Sequence, residues 1–166
     1  LTIPANVTTI GTSAFEGCTA LTSVNISAGV TSILDRAFDG CSTLTGVTVD
    51  AENAVYSSDE LGVLFNKDKT ELIKYFASNT ATSYTIPNTV TAIASGAFSG
   101  CTNLTTIAIP ESVKTIDSNA FANCTNLADV TISEGVQTIG SSAFSGCTSL
   151  TSINLPHSVT PLGEST

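Results

Sequence analysis

The sequence is poor in charge, and above all in positive charge. Its 166 residues contain only 5 Lys and Arg against 14 Asp and Glu, which gives a formal net charge of −9. Charged residues make up 11% of the chain, whereas about 25% is usual for a soluble domain. Nucleic-acid binding needs a basic surface that neutralises phosphates. The composition therefore argues against a nucleic-acid partner.

Histidine, the most common general acid or base, is nearly absent. His157 is the single histidine. It follows Pro156 in a repeated turn position (the repeat is described below), where we expect it to be solvated and away from any nucleophile. The glycines occur singly, so no phosphate-binding loop is present. Acids that are close in sequence, such as Asp50 and Glu52, are typical of a solvated loop. We expect no enzymatic activity, no small-molecule substrate and no cofactor.

Metal-binding patterns are missing as well. The sequence has no C-x-x-C pair, so zinc has no site by spacing. The segment DAENAVYSSDE, residues 50–60, is rich in oxygen ligands but lacks the alternating spacing and closing glutamate of a calcium loop. We therefore expect no metal site.

No long apolar run is present. Residues 75–110 carry no charge, but Ser, Thr, Asn, Gly and Pro interrupt this stretch every few positions. A membrane-spanning helix needs about 20 predominantly apolar residues in succession. The sequence thus predicts no membrane insertion.

What the sequence does contain is a repeat. AFEGCTALTSVNI at Ala14 returns in variant form at Ala37, Ala97, Ala120 and Ala143. The cysteines of these copies, Cys18, Cys41, Cys101, Cys124 and Cys147, are spaced by 23, 60, 23 and 23 residues. A fixed period in this range is typical of a solenoid, in which each repeat is one coil stacked on the previous one.

Each repeat contains one clear strand pattern. Apolar and polar residues alternate in segments such as Val24–Ile26, which indicates a strand with one buried face. Equivalent positions recur at 1–3, 24–26, 47–49, 84–86, 107–109, 130–132 and 153–155. The sequence therefore predicts a parallel sheet of about seven rungs. A second short apolar segment, such as Val30–Ile33, is expected on the opposite arc of the coil.

The cysteines occupy one column between a phenylalanine and a leucine. We expect this column to face the core, with the thiols acting as small buried hydrophobic groups. Neighbouring rungs bring the α-carbons within disulfide reach, but stacked side chains point in the same direction rather than at each other. A ladder of free thiols is therefore favoured over disulfides.

One insertion interrupts the period. Residues 50–83 form an extended repeat between the regular arrays 1–49 and 84–166. Within it, GVLFNKDKTELIKYF at 62–76 predicts a β-hairpin around a polar turn, which should protrude from the coil or extend one edge of it. Aromatic and basic residues accompany each other here. Candidate ligand contacts in the insertion are Tyr56, Lys67, Lys69 and Lys74.

The pattern IPxxVTxIGxxAFxGCxxLxxVxI resembles the BspA-like leucine-rich repeat, also called the Treponema pallidum type. This resemblance covers nearly the whole chain. It implies a right-handed leucine-rich-repeat coil in a bacterial or protist protein that is secreted or exposed at the cell surface. It also implies a role in adhesion and in binding host or matrix proteins. The final unit stops where its Ala-Phe should stand, at Thr166, so we expect this single domain, 1–166, to be a segment of a longer protein.

The outward positions of the strands form the candidate ligand face. They are small and rich in hydroxyls: Ser23, Asn25, Thr48, Thr85, Thr106, Asp129, Thr131, Ser152 and Asn154. The leading hypothesis is a non-catalytic module that binds a protein ligand through this face or through the insertion. The alternative is a structural spacer, or an array that associates with itself through its terminal rungs.

Overall fold

The computed structural model describes residues 1–160 and Glu164; the end of the last unit, with Thr166, lies outside the described residues. Over this range the chain forms short strands joined by turns, with no helix. The thirteen strands are β1 Thr9–Ile10, β2 Ser23–Ile26, β3 Ser32–Ile33, β4 Gly46–Val49, β5 Tyr56–Ser58, β6 Leu64–Asn66, β7 Glu71–Lys74, β8 Ser83–Thr85, β9 Ala92–Ile93, β10 Thr106–Ile109, β11 Thr115–Ile116, β12 Asp129–Ile132 and β13 Thr138–Ile139. The predicted β-solenoid with a 23-residue repeat is confirmed.

The first sheet consists of the strands that the alternating pattern predicts. In β2, β10 and β12 the residues alternate between exposed and buried. Neighbouring strands pair in parallel, and each residue lies beside the residue one repeat later. Val24 thus lies beside Val47, and Ile107 lies beside Val130. Identical positions of successive repeats therefore stack in columns, since each strand repeats the register of the last.

This first sheet is not continuous, in contrast to the seven successive rungs expected. One part contains β2 and β4, with a bridge from Thr2 to Asn25, and the other contains β8, β10 and β12. Residues 153–155, expected as the last rung, form no strand. The division falls between β4 and β8, where the long insertion enters.

The second sheet lies on the opposite arc of the coil and absorbs most of the insertion. Strands β13, β11, β9, β7, β6 and β5 follow one another in this order, and β1 pairs with β3 as a separate part. The predicted hairpin is confirmed, because β6 and β7 are antiparallel. It does not protrude: β7 pairs in parallel with β9 and thereby extends the sheet.

The end of the insertion is itself a repeat, but other residues replace its usual phenylalanine and cysteine. Tyr75 takes the place of the conserved phenylalanine, since its amide donates to Ala97 O at 2.8 Å as that of Phe98 donates to Ala120 O at 2.7 Å. Its ring stacks on Phe98 with the centroids 5.1 Å apart. Ser78 then stands where the cysteine should be. The 60-residue interval thus contains one long coil and one regular coil.

The long coil separates two hydrophobic cores. Leu64 and Phe76 pack into an N-terminal core together with Val24 and Val47, whereas Phe65 and Tyr75 pack into a C-terminal core. Adjacent residues of β6 therefore point into different cores, as strand geometry requires. The hairpin acts as a wall between the two halves of the array, and we call it the partition.

Asn53 fastens the beginning of the long coil. This residue is fully buried. Its Nδ2 donates to Ser27 O at 2.8 Å and to Val30 O at 2.9 Å, and its Oδ1 accepts from the amides of Val55 at 2.9 Å and Tyr56 at 2.8 Å. One side chain thus satisfies four backbone groups and ties the long coil to the coil before it.

The cysteine column is buried with one exception. Cys41, Cys101, Cys124 and Cys147 are buried and unpaired, as expected, but Cys18 is exposed. Each buried thiol donates to the carbonyl of the aromatic residue one coil earlier; the Sγ–O distance is 3.0 Å from Cys124 to Phe98 and 3.1 Å from Cys147 to Phe121. Cys18 lies in the first coil that the structure describes, and among the described residues no coil packs over its thiol. The expectation that all five face the core was wrong for this reason.

Thiol reactivity should follow this division. Burial raises the pKa of Cys41, and the hydrogen bond with the Cys101 thiol, followed by burial, raises the pKa of Cys124 to about 12. The hydrogen bond with Cys124 and burial likewise raise the pKa of Cys147. Since only a thiolate attacks iodoacetamide, we expect the folded protein at pH 8 to take up one label, at Cys18, and five after denaturation. Intact mass measures the number of labels, and Cys18→Ser should abolish native labelling. Rapid native labelling of a second cysteine would contradict the burial of the column.

Candidate protein-binding face

The nine candidate residues are all exposed; seven of them lie on strands of the first sheet, whereas Ser152 and Asn154 lie in residues 151–156, which form no strand. We call them the strand face. Because the strands pair in register, Thr106 lies beside Asp129 and Asn25 lies beside Thr48. Adjacent strands in such a sheet are ~4.8 Å apart, so the side chains form rows at that spacing. Within each of the two parts of the first sheet, the strand face is therefore a regular array of short polar groups.

Most of these polar groups are unengaged. Asn25 Nδ2 donates to Thr2 Oγ1 at 3.3 Å. Within residues 1–160 and Glu164, no hydrogen bond with a protein group engages the side-chain oxygens of Thr48, Thr106 or Thr131. These hydroxyls can both donate and accept, so they are available to a partner.

The insertion residues with candidate roles lie elsewhere. Tyr56 and Lys74 belong to β5 and β7 of the second sheet, and Lys67 and Lys69 belong to the turn between β6 and β7. Their polar groups have partners within the chain. The Ile33 amide donates to Tyr56 Oη at 2.9 Å, Lys67 Nζ donates to Ala51 O at 2.8 Å, Lys74 Nζ donates to Gly96 O at 3.2 Å, and Lys69 Nζ lies 5.5 Å from the centroid of the Phe65 ring. The structure does not bring these four residues together with the strand face.

One feature of the strand face was missed by sequence reasoning. The loop 59–62, which we call the Asp59 loop, crosses the outer side of β4 at Gly46. A Cβ placed on Gly46 would lie 2.7 Å from Gly62 Cα, and one placed on Gly62 would lie 2.6 Å from Gly46 Cα. Only glycine permits such a close approach of two backbones. Gly46 occupies a column that otherwise holds Ser, Thr and Asp, and this change of residue type was the available signal.

The Asp59 loop turns part of the flat face into a notch. Its volume is about 400 Å³, and its walls include Ser23, Thr45, Thr48, Glu60 and Leu61. Asn79, which is 8% exposed, also lines the notch and donates from Nδ2 to Leu61 O at 3.0 Å. The strand face is therefore indented beside the Asp59 loop.

Two acids of the long coil, Asp50 and Asp59, accept hydrogen bonds that shape its turns. Asp50 Oδ1 accepts from the Glu52 amide at 2.9 Å. Asp59 Oδ1 accepts from the amides of Leu61 at 3.0 Å and Val63 at 2.9 Å, and Tyr84 Oη donates to Asp59 Oδ2 at 2.6 Å. Burial, and then the hydrogen bond to Asp59, raise the pKa of Tyr84. These carboxylates are held by backbone and phenol donors.

His157 is solvated, as expected. Its side chain is 99% exposed, and Nδ1 lies 3.3 Å from Glu134 Oε1. In the described part of the chain, no three His, Cys, Asp or Glu side chains are grouped so as to hold a metal ion. Over the same residues, no helix is both long and apolar enough to cross a membrane.

Stacked 23-residue coils with parallel sheets and columns of Phe, Cys and Leu define a leucine-rich-repeat solenoid. Six copies of the family described as BspA type leucine rich repeat region match residues 1–60 and 73–166. The chain belongs to this family. The second match includes residues 74–83, where Tyr75 and Ser78 replace the usual Phe and Cys.

Solved structures agree with this assignment. A leucine rich cell surface protein from Faecalibacterium prausnitzii is 36% identical, with a TM-score of 0.84 over 96% of this chain and 42% of its own. The pneumococcal vaccine antigen PcpA is 27% identical, with a TM-score of 0.85 over 98% of this chain and 46% of its own. The T. pallidum leucine rich repeat protein is 27% identical, with a TM-score of 0.54 over 65% of this chain and 50% of its own. The chain thus spans half or less of the length of these relatives. No protein of curated function matches it at a significant level.

Proposed function

We propose that this chain is a non-catalytic adhesion module of a secreted or surface-exposed protein, and that it binds a host or matrix protein through the strand face. The observation that carries the proposal is the in-register array of exposed hydroxyls without intramolecular partners. Two similar structures support the location, since one is a leucine rich cell surface protein and the other a pneumococcal vaccine antigen. Repeat solenoids commonly use such extended faces for binding.

The strand face suits a polar partner surface. It offers hydroxyls and amides, carries the carboxylate of Asp129, and contains no Lys or Arg. It also lacks the Trp, Tyr and Arg side chains that dominate the energetics of most interfaces. We therefore expect moderate affinity from each copy, with the partner contributing the large anchoring side chains.

The test is binding to a panel of purified matrix proteins by surface plasmon resonance. The double variant Thr106→Arg with Thr131→Arg places two bulky side chains in the strand face. We expect this variant to weaken saturable binding at least tenfold. Thr138→Arg is the matched control, since Thr138 is equally exposed but lies on the second sheet. If the control weakens binding as much as the face variant does, the strand face is not the binding surface.

The alternative, a spacer or self-associating array, predicts a different result. Light scattering coupled to size exclusion, run over a concentration series under reducing conditions, should then show mass that rises with concentration. A steady mass near 16.9 kDa supports the binding module. A rising mass without saturable binding to any matrix protein would replace the proposal by the self-associating array.

A further inference from the structure

The strand face departs from its repeat at the notch beside the Asp59 loop. The loop passes over Gly46 and leaves a depression of about 400 Å³ between itself and the hydroxyls of Ser23, Thr45 and Thr48. Thr80 also lines the notch. A partner that lies along the strand face would therefore meet a recess that can receive one of its side chains.

The rim of the notch is held rigidly. The amides of Leu61 and Val63 donate to Asp59 Oδ1, and Gly62 O accepts from the Val47 amide at 3.0 Å. Asn79 Nδ2 donates to Leu61 O from below. A recess that is already formed does not need to be ordered when a ligand arrives, so less affinity is lost on binding.

The notch carries a negative charge, the carboxylate of Glu60, that forms no ion pair within the described residues. Glu60 is exposed, and no Lys or Arg belongs to the lining residues. Among the described residues, the ion pairs involve Glu16, Asp39 and Glu134 but not Glu60. The carboxylate of Glu60 is therefore available to a cation from outside the chain.

The shape of the notch adds a second preference. Leu61 is 45% exposed at its rim, which is unusual for a leucine on this polar face. An apolar wall next to a carboxylate suits a long basic side chain, whose methylene groups pack while its charged end forms hydrogen bonds. Arginine has five donors in a planar arrangement, and the hydroxyls of Ser23, Thr48 and Thr80 can accept them.

We propose that the notch binds an arginine side chain that a partner protein presents to the strand face. This inference rests on the proposed binding function and names the anchor that the strand face itself lacks. The guanidinium pairs with Glu60, its remaining donors reach the hydroxyls of the notch, and its methylene groups contact Leu61. The notch thereby selects where along the repetitive face a partner docks.

The experiment is an NMR titration of the ¹⁵N-labelled chain with acetyl-Gly-Arg-Gly-amide. We expect saturable shifts at the amides of Gly46, Glu60, Leu61 and Thr80. Glu60→Gln should weaken the peptide about two- to fivefold, which is the range for an exposed ion pair. Replacing arginine by the uncharged citrulline in the peptide should weaken it to a similar extent.

Glu111→Gln is the matched control, because Glu111 is also exposed and lies outside the notch. It should leave the peptide affinity unchanged. Shifts of equal size near Glu111 and Glu134, or equal effects of the two substitutions, would show only general attraction to an acidic protein and would overturn the notch. If the notch fails but the Thr106 and Thr131 variant still weakens a matrix partner, the proposed function stands without it. If the Thr106 and Thr131 variant leaves matrix binding unchanged while the peptide still binds the notch, the notch binds arginine but the partner does not lie along β10 and β12.

Discussion

Phe121→Ala should destabilise the protein by about 3–5 kcal/mol, as for other buried aromatic residues cut back to alanine. Phe121 is fully buried and its ring lies between those of Phe98 and Phe144, with centroid distances of 4.8 and 5.2 Å. Removing the ring leaves a cavity in the middle of an aromatic stack. The neighbouring coils cannot close this cavity without breaking their backbone register.

Thermal and urea unfolding followed by circular dichroism measure the effect. At roughly 2–4 °C per kcal/mol for a chain of this size, the melting temperature should fall by about 6–20 °C. Phe15→Ala is the matched control, because Phe15 is only partly buried and stacks on one ring, that of Phe38, at 5.6 Å. It should cost about 1–2 kcal/mol, since less apolar area leaves water contact when it folds. An unchanged melting temperature for Phe121→Ala would contradict the assignment of the phenylalanine column to the core.

Asn53→Ala should also destabilise strongly, by about 3–5 kcal/mol, because it leaves buried backbone donors and acceptors without partners. The side chain serves the carbonyls of Ser27 and Val30 and the amides of Val55 and Tyr56, all at 2.8–2.9 Å. Alanine is small enough to fit but satisfies none of the four groups. The entry of the long coil should therefore loosen.

Hydrogen exchange gives a local measure of this loosening. In Asn53→Ala the amides of Val55 and Tyr56 should exchange much faster, while those of β10 and β12 keep their protection. Asn126→Ala is the control, since Asn126 is exposed and makes a single hydrogen bond, from Nδ2 to Thr102 O at 2.7 Å. It should cost less than about 1 kcal/mol. Equal losses of stability for the two variants would show that burial at Asn53 does not matter.

The regular coils could be predicted in detail from the sequence. Val130 alternates with polar residues, so both its strand and its burial follow from the pattern. Phe121 lies in a turn, and its burial follows from the recurrence of phenylalanine at the same place in each repeat. The exposure of the strand face follows from the same alternation. Because each coil packs in the same way on the coil before it, the same residue types recur at the same positions of the sequence.

The irregular part could not be predicted in the same way. Ser78 and Ala81 replace the Cys and Leu of a repeat, so the coil that contains Tyr75 was interpreted as part of an insertion. Asn53 and Asn79 are polar but buried, and their partners are backbone groups distant in sequence, which no period reveals. The notch depends on the contact of Gly46 with Gly62, a pairing that only the three-dimensional path of the long coil creates.

The partition has a consequence for how such an array can change during evolution. Leu64 and Phe76 contact the N-terminal core, whereas Phe65 and Tyr75 contact the C-terminal core. In a solenoid each coil contacts only its neighbours, so a coil gained or lost alters packing only locally. The partition uses separate side chains for each core, so a packing change in one core does not reach the other. Either block can therefore lengthen, shorten or alter its surface by gene duplication without requiring compensating substitutions in the other.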